Sequence, residues 1–80
     1  MKIRKFRHKY LRSFIKEKKI TDAKIKSALY GAMFDLPVKV KVGLSLAKND
    51  NHKQYLIKTF SKIATIGKSN NVLNYLKAAV

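Results

Sequence analysis

Cysteine and tryptophan are absent, proline occurs once, glycine three times, and only four residues are acidic. Without cysteine there is no disulfide staple, no thiol nucleophile and no cysteine-based zinc site. The acids Glu17, Asp22, Asp35 and Asp50 stand apart from one another, and the two histidines, His8 and His52, are distant in the chain. Neither a catalytic carboxylate pair nor a metal site of ordinary composition can be assembled from them. Gly67-Lys68-Ser69 lacks the upstream glycine of a phosphate-binding loop. No enzyme, cofactor or metal is therefore expected. The longest apolar run, residues 28–34, is seven residues and contains Gly31, against about twenty for a membrane span. The charged N-terminal run has no apolar core of a secretory leader, so a cytoplasmic location is the expectation.

Positive charge is what the chain has in excess. Nineteen Lys and Arg against four acids give +15 on 80 residues. Nine of the nineteen lie in the first nineteen positions: Lys2, Arg4, Lys5, Arg7, Lys9, Arg12, Lys16, Lys18 and Lys19, with Glu17 the one acid among them. Such one-sided charge repels itself in a compact state and is best satisfied by a polyanion. Nucleic acid is the first expectation, an anionic membrane surface the second. An apolar content of 46% is that of a folding chain and too high for a disordered basic tail. Residues 1–80 make a single small domain, which buries only about 60% of its unfolded surface. A second copy of the chain or a bound polyanion is the available source of added stability.

Mainly helical structure is expected. Ile3, Phe6, Tyr10 and Phe14 recur at spacings of three and four and predict an amphipathic helix over about 2–18, within a basic segment 1–20. Lys5, Lys9, Arg12 and Lys16 line its opposite face, like charges that destabilise the free helix slightly. Thr21 is placed to cap a second helix, with Asp22 in its first turn and Ile20 and Ile25 as a staple. Ile25, Ala28, Leu29, Ala32, Met33 and Leu36 form its core stripe, ended by Pro37. Asn49-Asp50-Asn51 reads as turn and cap of a helix over 51–66 that Gly67 closes. Ser69 or Asn70 caps a last helix with Val72, Leu73 and Leu76 inward.

Residues 38–46 behave differently. Val38, Val40, Val42, Leu44 and Leu46 alternate with Lys39, Lys41, Gly43 and Ser45, the period of a half-buried strand. No second strand of like quality exists, so the strand is expected to pair across a homodimer. The fold expectation is about four short helices with this one strand. The alternative is an all-helical bundle in which Pro37 starts a third helix.

The run VKVKVGLSL, then a helix ending IATIG, then Ser69 and a helix with Val72, Leu73 and Leu76 inward, resembles a ribbon-helix-helix DNA-binding domain over 38–80. The resemblance implies that Lys39, Lys41 and Ser45 face the bases. It also implies that the helix start at Ser69, Asn70 and Asn71, beside Lys68, holds a phosphate. The same half is also similar to a helix-turn-helix pair, with Gly67 in the turn. Together these put DNA ahead of RNA. The expected function is a small non-enzymatic nucleic-acid-binding protein, a DNA-binding regulator or accessory factor of a plasmid or phage-like element. A protein-binding inhibitor or ribosome- or RNA-associated factor stays open, as does a cationic, membrane-active, bacteriocin-like protein.

Overall fold

The computed structural model describes the backbone of residues 2–79 and the side chains from Phe6 to Ala79. Five helices follow one another: α1 (Lys2–Glu17), α2 (Ala23–Met33), α3 (Pro37–Leu44), α4 (Asp50–Gly67) and α5 (Asn70–Ala79). Their Cα atoms span 37 × 27 × 16 Å. With helix axes about 8–10 Å apart in contact, the short dimension admits two layers at most. Every helix therefore keeps one face at the surface, and any binding site has to be shallow.

α2 is the hub, packed most extensively against α3 and then α4. Leu29, Ala32 and Met33 of α2, Val40 of α3, and Phe60, Ile63 and Ala64 of α4 are fully buried. Small residues set the spacing: a Cβ on Gly43 would overlap the Cβ of Ala28 and meet the Phe60 ring. α1 is anchored by Leu11 and Phe14, with Tyr10 and Ile15 half-buried beside them. The inward face is thus rotated from the expected one: Leu11 points straight into the core, while Phe6 is 61% exposed. Ile3 lies outside the described side chains.

The segment expected as a strand is α3, and no strand occurs among the described residues. An alternating run contains every i,i+4 pair as well as every i,i+2 pair, so it also fits a helix. The helix sorts the valines into two such pairs. Val40 and Leu44 turn inward at 0% and 7% exposure, while Val38 and Val42 face solvent at 74% and 45%. Pro37 occupies the first turn, where its fixed φ and missing N–H do no harm; it starts α3, whereas α2, expected to end at Pro37, already stops at Met33. The backbone of 37–44 bonds within its own helix, so the unpaired strand edge that called for a second copy does not arise.

Three helix ends close in the same way, with a non-glycine residue in the left-handed region: Lys19 at φ 54°, Asp35 at 62° and Lys68 at 55°. Behind them the amides of Ile20, Leu36 and Ser69 reach back to the carbonyls of Ile15, Gly31 and Ala64 at 3.0, 2.8 and 2.9 Å, the Schellman pattern. Gly67 was expected to supply that conformation, yet Lys68 does. Gly67 instead lets α4 touch the end of α2, because a Cβ there would overlap the Met33 carbonyl oxygen. Caps also shift by a residue. Asp22 rather than Thr21 caps α2, accepting from the amides of Lys24 (2.8 Å) and Ile25 (3.3 Å). Asn49 caps α4, accepting from His52 N at 2.8 Å, while His52 Nδ1 accepts from Lys48 N at 3.0 Å.

Two substitutions separate the helical arrangement of 37–44 from a strand. Val40→Asp places an unpaired charge in the core and is expected to cost several kcal/mol, enough to unfold so small a domain. Val42→Asp, on the open face, is expected to change stability by less than about 0.5–1 kcal/mol. Urea titrations of both variants check this, since a paired strand would make the two equally damaging.

Candidate nucleic-acid interface

Rotating α1 onto Leu11 and Phe14 turns its basic residues outward. Lys9, Arg12 and Lys16 are exposed and surround, with Ser13, a shallow hollow of about 270 Å³. Ser13 also borders a second hollow of about 170 Å³ with Tyr10, Phe14, Glu17, Lys18 and Lys62. The basic shelf therefore runs on from α1 to Lys62 of α4, a residue that sequence spacing could not place there. Lys2, Arg4 and Lys5 belong to the backbone of α1, but their side chains lie outside those described.

Arg7 has another surrounding. It is half-buried, with its guanidinium carbon 5.9 Å from the centroid of the Phe34 ring, within cation–π range. Phe34 and Tyr30, four residues apart on α2, lie with their ring planes 7° from parallel and centroids 6.5 Å apart. The His8 ring sits 5.0 Å from Phe34 and 5.5 Å from Tyr30. These rings, with Leu36 and Lys39, line an open hollow of about 330 Å³. Lys39 is thus at a binding-sized surface, though as a helical residue beside aromatic rings. Neither Tyr30 nor Phe34 was singled out from the sequence; the signal was their i,i+4 spacing at the edge of the α2 stripe. The part taken by His8 from α1 and Lys39 from α3 had no such signal.

The remaining residues are dispersed. Lys41 is exposed on α3, two positions and so about 200° around the helix from Lys39, and the two cannot read one surface as alternate strand residues would. Ser45 is exposed beyond α3, its hydroxyl donating to the Val42 carbonyl at 2.6 Å. Lys68 is exposed in its left-handed turn.

The start of α5, expected to hold a phosphate, is occupied from within the chain. Asp35 Oδ1 accepts from Val72 N and its Oδ2 from Asn71 Nδ2, both at 3.0 Å. Ser69, in the capping position, is fully buried and its hydroxyl donates to the Met33 carbonyl at 3.0 Å. Asp35 thus caps α5 in place of Ser69, and the favourable end of the dipole already has its anion. Asn70 is exposed nearby.

Among the described residues no group of three metal-ligating side chains comes together, and no helix is long and apolar enough to cross a membrane. No family model, curated protein or solved structure matches the chain.

Asp35→Ala removes the cap of α5 and leaves alanine in a left-handed turn, so it is expected to lower stability by about 1–2 kcal/mol. Asp35→Gly, which loses the cap but relaxes the turn, should fall between. Chemical denaturation of the three proteins checks the order; equal stability of Asp35→Ala and the parent would show the α5 start to be uncapped in solution.

Proposed function

We propose that this is a small, non-enzymatic nucleic-acid-binding protein whose electrostatic surface is the outer face of α1. One observation carries the reading: Lys9, Arg12 and Lys16 stand exposed together on the side of α1 opposite buried Leu11 and Phe14. Their spacing of three and four residues sets their Cβ atoms about 5–6 Å apart along the helix. That is close enough for neighbouring cations to engage successive phosphates, which displaces counterions and makes the affinity salt-dependent. Lys18 and Lys62 extend the surface beyond the end of α1. Phosphate contacts carry no sequence information, so this surface supports an accessory factor of a plasmid or phage-like element more directly than a regulator that reads bases.

The same geometry weighs against a membrane-active peptide. Such an activity would lay the apolar face of α1 into lipid, whereas Leu11 and Phe14 are committed to the core. Releasing them would leave α1 without its anchor.

With about six phosphate contacts, log affinity is expected to fall with log salt at a slope near −5 on duplex DNA. Replacing Lys9, Arg12 and Lys16 with Gln should flatten that slope by about 3 and weaken binding to all sequences alike. Thermal stability should hardly change, because the substitution removes repulsion between like charges. Fluorescence anisotropy across a salt series, with parallel melting curves, checks both. An unchanged slope with a large drop in melting temperature would mark this face as structural.

A further inference from the structure

Cations alone account for binding to any polyphosphate, but they leave the aromatic hollow between α1, α2 and α3 unexplained. Tyr30 and Phe34 are only half-buried, and His8 is exposed against both. Three aromatic rings from two helices thus converge at the surface, where one or two would suffice to pin α1 to α2. Arg7 over Phe34 and Lys39 on the rim bring positive charge to the same place. At about 330 Å³ the hollow is at the small end of the range that holds small ligands. Its chemistry combines flat π surfaces, an apolar floor and flanking cations.

The geometry points to this hollow as a stacking site for an unpaired base of single-stranded nucleic acid. This deepens the nucleic-acid reading above and rests on it. Duplex bases are stacked on one another and offer only their edges and phosphates, so aromatic side chains gain little there. Unpaired bases present their faces, which stack on aromatic rings whatever their identity. Lys39, which lines the hollow, would take a phosphate beside the stacked base, and Arg7 over Phe34 adds positive charge near it. The ligand class is therefore a single strand with at least one accessible base, and RNA and DNA share the chemistry.

The test uses the whole protein and four probes of equal length: single-stranded RNA, single-stranded DNA, an abasic single strand and a DNA duplex. Both base-bearing strands are expected to bind more tightly than the abasic strand by roughly five- to a hundredfold, the range for stacking on one aromatic site. Phe34→Leu, which keeps apolar bulk and loses the ring, should erase most of that difference and leave duplex binding and the salt slope as they were. His8→Ala acts on an exposed side chain and should do the same in smaller measure, which guards against a folding defect in the Phe34 variant. The chain has no tryptophan and four tyrosines, so the part of the tyrosine quenching that Tyr30→Phe removes reports the site. Quenching on binding should be reduced in Tyr30→Phe, by more than in Tyr55→Phe, while affinity persists. Equal affinity for abasic and base-bearing strands would overturn the stacking site and leave the nucleic-acid reading intact. Failure to bind any of the four probes at low salt would remove both.

Discussion

The contact between the end of α2 and the turn joining α4 to α5 organises the molecule. On one side Met33 meets Gly67 and Ser69, and Asp35 meets Asn71 and Val72. The Met33 carbonyl lacks a helical partner, as carbonyls at helix ends do; it accepts from the Ser69 hydroxyl, and only glycine at 67 allows the backbones so close. Two residues on, Asp35 turns left-handed and delivers its carboxylate to the start of α5. One corner therefore satisfies a helix C-terminus, caps a helix N-terminus and sets where α3 leaves α2. In a slab of two layers without disulfides, a polar corner of this kind supplies register that the apolar core alone leaves loose.

The basic surface has a separate origin, the sequence of α1. With the start of α5 closed by an internal anion, the free positive potential of the molecule is left to side chains. Those side chains are concentrated on α1, which contacts α2 less extensively than α3 and α4 do. The aromatic residues at its contact with α2 serve two purposes. Phe34 receives Arg7 from α1, and with Tyr30 and His8 it shapes the hollow that opens between the helices.

Local signals in the chain were readable to the extent that the physics was local. The stripes of α2 and α5 follow in the main from their apolar spacing: Ala28, Leu29, Ala32, Met33, Val72 and Leu76 are buried. Leu36, expected in the α2 stripe, lies beyond the helix and is 44% exposed, and Tyr55 of α4 is 55% exposed. The basic face of α1 was legible in part: Lys9, Arg12 and Lys16 are exposed, but the apolar face opposite them turns on Leu11 and Phe14 and not on Phe6. Residues 38–46 were not legible, because their alternation has the strand period and only every second apolar residue, Val40 and Leu44, serves the helix. The helix has Pro37 at its start and the room that Gly43 leaves beside Ala28 and Phe60. The cap of α5 was out of reach for another reason. Asp35 and Val72 are 37 positions apart, and nothing near either one announces the pairing. The aromatic hollow is likewise a meeting of three helices, written in no single segment.

If the proposed polyanion binds, the light attachment of a highly charged helix gives the protein two opposed responses to its ionic surroundings. In isolation, added salt shields the cations of α1 from one another and makes the docked helix more secure. Bound to a polyanion, the same salt loosens the partner and withdraws the stabilisation that binding lends to the fold. The stability curves of the free and occupied protein therefore approach each other as ionic strength rises. The partner then acts, in thermodynamic terms, as a removable piece of the structure.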